Sequence, residues 1–129
     1  MRKLVETVLE NASTKEIFLF RVSCAGCGLE YGNQPIRFSK AGKLPESSDQ
    51  QILYAALYEQ ELRDARLTAI RCASEQMNFC PICKQLVCNR CFLICDELDM
   101  CRQCAEMLRQ PGQPVFPKEI EATAGAYNT

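Results

Sequence analysis

Ten cysteines and no histidine stand in a chain of 129 residues. Eight of the ten form four C-x2-C pairs: Cys24 with Cys27, Cys80 with Cys83, Cys88 with Cys91, and Cys101 with Cys104. Two intervening residues let a tight turn aim both sulfurs at one tetrahedral ion about 2.3 Å away, so each pair is half of a four-ligand site. Four halves make two sites, and two Zn2+ ions are the expected occupants. Iron held as in a rubredoxin is the redox alternative, because soft tetrahedral thiolates suit both metals. The knuckle CAGCG supports this reading, since Gly26 and Gly28 supply backbone freedom for such a turn. Four thiolates leave no open coordination position, and the chain has neither a histidine base nor an H-E-x-x-H motif. No catalytic residues are assigned, and the expectation is a protein that is not an enzyme.

Spacing limits which pairs can share an ion. Only KQLV separates Cys83 from Cys88. An extended run of that length sets the two knuckles about 16 Å apart at ~3.3 Å per residue, whereas sulfurs on one zinc lie within ~4 Å of each other. The second and third pairs therefore serve different ions. Two arrangements survive: a sequential one, first pair with second and third with fourth, and a crossed one, first with third and second with fourth.

The run from Cys80 to Cys91 and Phe92, followed by Met100, Cys101, Cys104 and Ala105, resembles the second half of FYVE zinc fingers. There two C-x2-C pairs are likewise four residues apart and the last pair opens a short helix. The resemblance implies a small α+β, zinc-stabilised domain of treble-clef, cross-brace type. It also implies the crossed order, with Cys24, Cys27, Cys88 and Cys91 on one ion and Cys80, Cys83, Cys101 and Cys104 on the other. RING fingers share that order but place a histidine in mid-motif. FYVE domains read a phosphoinositide through a basic cluster at the second pair. Here that position reads SEQMNFCPICK, so phosphoinositide binding is not carried over, and the gap from Cys27 to Cys80 is longer than is usual for the family.

The elements that must position the pairs can be outlined. Residues 16–38 read as a hairpin with the first knuckle at or near its tip, since both flanks are rich in aromatic and branched residues. Residues 39–49, SKAGKLPESSD, are polar and broken by Gly42 and Pro45, so they form a loop. Ser47 and Ser48, three residues before Gln50 and Gln51, suggest a capping box. A long inserted helix over 49–77 follows, free of proline and glycine. Tyr58, Leu62, Ala65, Ala69, Cys72 and Ala73 form one stripe along it. The stripe packs on the chain's own core or offers a partner surface.

Residues 78–110 form the FYVE-like half, with a last helix continuing from Cys104 until Pro111 and Gly112 stop it. Residues 1–15 read as a helix or arm with Leu4, Val5, Val8 and Leu9 apolar, and the double-zinc domain covers 16–110. Residues 111–129 read as a flexible extension. Cys72 is expected as packing, and Cys95, four after Cys91, stands outside the sites.

Composition sets the class. The N-terminal apolar run is interrupted by Glu6 and Glu10, and no stretch reaches the ~18 apolar residues a membrane helix needs. A cytoplasmic protein with reduced thiols is the expectation, and grouped cysteines there bind metal more often than they pair. The formal charge is −1, and two tetrathiolate zinc sites would take it to about −5. Attraction to phosphate backbones is thereby disfavoured. The expected function is protein interaction or regulation, through a protein partner or a homodimer, with the 49–77 helix as the candidate surface. The alternatives are a nucleic-acid-binding transcriptional regulator, a RING-like ubiquitin ligase and the rubredoxin-like iron protein.

Overall fold

The computed structural model describes residues 1–115. Among them the chain is a mixed α+β fold with three helices. In chain order the elements are α1 (Arg2–Val8), β1 (Glu10–Asn11), β2 (Ile17–Phe18), β3 (Phe20–Ser23), β4 (Glu30–Gly32) and β5 (Ile36–Arg37). Then come α2 (Ser48–Gln76), β6 (Met77–Phe79), β7 (Leu86–Cys88), β8 (Phe92–Cys95), β9 (Met100–Cys101), α3 (Arg102–Met107) and β10 (Gly112–Pro114).

The strands are too short to make an independent sheet, and they serve as stems for loops. β3 and β4 pair antiparallel with Ser23 opposite Glu30, and β2 and β5 extend the same hairpin below with Ile17 opposite Arg37. The first knuckle sits at the tip of this stem. β6 and β7 form a second hairpin, Phe79 opposite Leu86, with the second knuckle at its tip. β8 is the centre of a third small sheet between β10 and β9. Asn33 locks the first hairpin from inside: its side chain accepts from the Phe20 N–H (2.9 Å) and donates to the carbonyls of Phe18 (3.1 Å) and Gln34 (2.7 Å). Both donors of its amide and its oxygen are thus bonded to backbone in a buried position, which is why a polar side chain is tolerated there.

α2 starts where its cap is. The Ser47 hydroxyl accepts from the Gln50 N–H at 3.1 Å, while the Gln50 side chain reaches back to the Glu46 N–H at 2.7 Å. The box is therefore shifted by one residue at its return bond, because Ser47 itself is not the residue that Gln50 reaches. The helix runs 29 residues and passes straight into β6, so Met77 is strand and not helix.

Its stripe lies on the chain's own core. Ala65 and Ala69 are buried against Phe18, Phe20 and Phe38, with Tyr58 and Leu62 at the edge. Phe18, Phe38 and Tyr58 close a ring triad with centroids 5.0 to 5.9 Å apart, and the Tyr58 hydroxyl donates to the Thr14 carbonyl at 2.9 Å. Small alanines on the helix let the aromatic hairpin approach closely. Farther along, Ala73 and Met77 enter a second cluster with Val5, Val22, Tyr31, Leu86, Val87, Leu93, Met100 and Ala105. Cys72 is only half-buried and lines a cavity beside Arg21 and Tyr31. The opposite face of α2 leaves Ile52, Leu53 and Leu67 exposed.

In α1 Val5 is fully buried while Leu4 and Val8 stay exposed, and Leu9, just after the helix, is partly buried against the core. Two expectations are corrected. α3 ends before Pro111: Arg109 takes a left-handed φ of 57°, and the N–H groups of Gln110 and Arg109 bond to the carbonyls of Ala105 (2.8 Å) and Glu106 (3.3 Å). These two bonds satisfy the last-turn carbonyls without help from proline or glycine. The extension assigned to 111–129 begins with structure, since Gly112–Pro114 pairs with β8. A Cβ at Gly112 would lie 2.7 Å from the Cys95 sulfur, so the close approach of the strands explains the glycine. The remainder of that extension, 116–129, lies outside the described residues.

Candidate metal centres

The two tip loops are built alike. In the first, the Cys24 N–H donates to the Leu29 carbonyl and the Gly28 N–H to the Cys24 carbonyl, both at 2.9 Å. In the second, the Cys80 N–H donates to the Gln85 carbonyl (2.9 Å) and the Lys84 N–H to the Cys80 carbonyl (2.8 Å). The residue after the second cysteine is left-handed in both, Gly28 at φ 79° and Lys84 at φ 64°. Glycine suits that position; lysine adopts it with a side chain in place. Gly26 plays another part than backbone freedom: a Cβ there would sit 3.1 Å from the Cys91 sulfur. It is a glycine of space, needed because another pair of cysteines packs against the knuckle.

Those other pairs come from the chain that follows. β7 leaves the second knuckle and ends at Cys88, which opens the third pair, where the Cys91 N–H returns to the Cys88 carbonyl at 3.0 Å. Cys101 caps α3, its sulfur accepting from the Cys104 N–H at 3.4 Å. The folded chain gathers Cys24, Cys27, Cys88 and Cys91 into one cluster and Cys80, Cys83, Cys101 and Cys104 into another. Within each, all four sulfurs lie within 4.8 Å of one another. This is the crossed grouping.

The spacing fits a tetrahedral ion. Bonds of about 2.3 Å to the corners of a tetrahedron put sulfurs about 3.8 Å apart. Cys27 and Cys88 are separated by 3.7 Å, and Cys83 and Cys101 by 3.9 Å. All ten cysteines are free thiols, and these separations far exceed a disulfide bond. Cys95 lies in neither cluster.

Backbone donors prepare the sulfurs for negative charge. Cys24 Sγ accepts from the N–H groups of Gly26 (3.3 Å), Cys27 (3.4 Å) and Cys88 (3.1 Å), and Cys80 Sγ accepts from the Cys101 N–H (3.3 Å). In both clusters the first sulfur of the knuckle is thus met by the N–H of the first cysteine of the completing pair. Cys88 is held low, at about 4, chiefly by a bond from Cys24, which outweighs burial; Tyr31 assists. Cys24 is correspondingly pushed far up, by that same bond and then by burial. Burial pushes Cys80 up, but the N–H groups of Cys101, Cys83 and Ile82 outweigh it and hold the thiol at about 6. Burial is also the first cause that raises Cys91 and Cys104 to about 12. In each cluster one sulfur is poised to ionise while neighbours retain protons, as expected of thiols crowded for a metal.

Three residues around the first cluster have no signal in C-x2-C spacing. Tyr31 on β4 is buried beside Cys88. Arg90 lies between Cys88 and Cys91, and its guanidinium faces Cys27, which raises its pKa against the cost of burial. Asn89 joins the cluster to α2: its N–H donates to the Gln76 carbonyl (3.0 Å), its side-chain amide to the Glu75 carbonyl (3.2 Å), and its side-chain oxygen accepts from Asn78 (2.7 Å). The last carbonyls of a long helix are thus satisfied by a residue lodged between two candidate ligands.

No helix among the described residues is long and apolar enough to cross a membrane. No protein-family model, curated protein or solved structure matches this chain.

Proposed function

We propose that this protein is a non-enzymatic, cytoplasmic module that binds two zinc ions and serves protein–protein interaction or regulation. Its metal-binding part is read as a treble-clef cross-brace in the FYVE order without phosphoinositide recognition. The observation that carries the proposal is the pair of closed all-cysteine clusters, with sulfurs at the separation a tetrahedral ion requires. Bound there, zinc would supply structural cross-linking. Cys24, Cys27, Cys88 and Cys91 would hold one ion, and Cys80, Cys83, Cys101 and Cys104 the other. A fold with such short strands gains from metal what a small core does not supply.

Metal analysis of the purified chain tests the reading. Two zinc ions per chain are expected, falling to one or fewer in Cys88→Ser and in Cys101→Ser. A red protein with thiolate-to-iron absorption and a reversible potential would replace zinc by iron. A chain that folds with all cysteines titratable and no metal would overturn it. The interaction role is tested by crosslinking the metal-loaded chain in its native extract and identifying a partner whose capture is lost on chelation.

A further inference from the structure

The two knuckles present a matched pair of outer sulfurs. Each holds its first cysteine buried and its second exposed, Cys27 in the first knuckle and Cys83 in the second. The loops share the same two backbone bonds and the same left-handed residue after the second cysteine. Cys27 lies 3.7 Å from the Cys88 sulfur, and Cys83 lies 3.9 Å from the Cys101 sulfur. Position in the turn, exposure and ligand separation therefore agree.

The surroundings of the two sulfurs differ. The half-buried Arg90 guanidinium faces Cys27 and Cys88, and the Tyr31 hydroxyl bonds to Cys88. Cys24 in the same cluster accepts from three N–H groups. Cys83 is met by a neutral donor, the Gln85 N–H. Two cations lie nearby, and both engage other groups. The Lys84 ammonium stands 6.0 Å from the Phe79 ring centroid, and the Arg102 guanidinium donates to the Arg90 carbonyl at 2.8 Å. A cavity of about 150 Å³ reaches this cluster, with Cys83, Cys101 and the half-buried Cys91 on its lining. It has room for a molecule of a few heavy atoms.

With zinc bound, all eight sulfurs are thiolates, and protonation no longer ranks them. A cation beside a free thiol makes it reactive by ionising it. Beside a thiolate that metal already holds, the same cation draws electron density away and weakens the sulfur as a nucleophile. Zinc with four thiolates carries a charge of about −2, so Arg90 brings the first cluster to about −1 while the second keeps about −2.

We propose that the second cluster is a site of oxidative modification by hydroperoxides, with Cys83 as the attacking sulfur and Cys101 as the resolving one. The proposal rests on the two-zinc reading and assigns the two clusters unequal reactivity. The Cys83 thiolate attacks one peroxide oxygen, the O–O bond breaks, and hydroxide or alkoxide leaves. The peroxide gains two electrons, and the sulfur that gave them becomes a sulfenic acid. The Cys101 thiolate, 3.9 Å away, then attacks that sulfur and displaces hydroxide, which forms a disulfide. Water protonates the departing oxygens. Cys80 and Cys104 are then the last two ligands where zinc needs four, and the ion is released.

The test uses the zinc-loaded full chain after its metal content has been measured. Separate samples receive brief treatment with iodoacetamide or hydrogen peroxide, and mass spectrometry maps every cysteine. Cys83 is expected to alkylate at least about tenfold faster than Cys27. Among the eight candidate ligands, the first disulfide formed by peroxide should join Cys83 to Cys101, with zinc release keeping pace. Arg90→Gln removes the guanidinium and should speed alkylation of Cys27 at least about fivefold, with Cys83 changed less than about twofold. Equal rates at Cys27 and Cys83, or a different first disulfide, overturn the proposal. So does an Arg90→Gln chain that keeps both zincs and leaves Cys27 as slow as before. If that variant loses zinc, the ratio of Cys83 to Cys27 in the intact chain decides alone. A two-zinc chain with matched rates sinks the reactivity difference only; a chain without metal sinks the two-zinc reading and the proposal with it.

Discussion

Thiol protonation is where metal binding is decided at the scale of residues. Cys91 and Cys104 are raised to about 12, so both hold their protons near neutrality and a metal must expel them. The sign follows: a group with a raised pKa stays protonated as pH falls, so acid competes with metal and affinity increases with pH. With at least one proton displaced per site, apparent affinity at each should fall at least about 100-fold between pH 8 and pH 6. Competition with a chromophoric chelator at several pH values would measure this, and calorimetry in buffers of different ionisation enthalpy would count the protons. A pH-independent affinity would refute it. The two glycines of the first knuckle separate in the same way. Gly26→Ala pushes a methyl toward the Cys91 sulfur at 3.1 Å and should weaken metal retention at that cluster. Gly28→Ala meets no atom within 4 Å but sits at φ 79°, so it should cost about 1 kcal/mol of stability with metal content intact. Spacing made the eight cysteines legible as four pairs because two-residue knuckles are a local property. It could not show whether a glycine serves conformation or space, since the space is defined by Cys91, distant in sequence. Tyr31 and Arg90 were invisible for the same reason.

Elements here are stems and struts more than layers. The hairpin over 16–38 and the long helix could be read from local composition, cap and periodicity. The turn that ends α3 could not, because a left-handed arginine carries no sequence signature, and the pairing of Gly112–Pro114 with β8 depends on a strand some twenty residues away. The joint between α2 and the first cluster was likewise hidden. Asn89 reads as a spacer between Cys88 and Cys91, yet it closes the C-terminus of a 29-residue helix with its N–H and its side-chain amide. Asn89→Ala removes the side-chain donor to Glu75 and the acceptor for Asn78 in a buried place. It should destabilise the folded, metal-loaded chain by about 1–3 kcal/mol. Denaturant unfolding at fixed metal concentration checks the magnitude. A loss under ~0.5 kcal/mol would mean that the strut is held elsewhere, by the alanine stripe against Phe18, Phe20 and Phe38.

The whole molecule couples the two clusters because their ligand pairs interleave along the chain. β7 starts at the exit of the knuckle that carries Cys80 and Cys83 and ends at Cys88 of the other cluster, so one three-residue strand spans both. The Ala25 N–H donates to the Leu86 carbonyl at 3.0 Å and the Arg102 N–H to the Cys91 carbonyl at 2.7 Å. Cys101 also pairs with Phe92 across β8 and β9. A ligand lost from one cluster therefore frees backbone that positions the other, which a sequential arrangement of the four pairs would not require. Structural zinc contributes about 10–16 kcal/mol in small metal-dependent domains, comparable to or greater than the ~5–15 kcal/mol that separates folded from unfolded chains. The cores here are two small clusters, one of them made partly of the cysteines themselves, so the metals should dominate the balance. In graded chelator the intact chain is expected to lose both ions in one transition, together with its helical circular dichroism. In Cys101→Ser the ion left on Cys24, Cys27, Cys88 and Cys91 should come off at a clearly lower chelator concentration than in the intact chain. If that ion instead holds at the intact chain's midpoint, the clusters are independent, and the bonds from Ala25 and Arg102 do not transmit the loss.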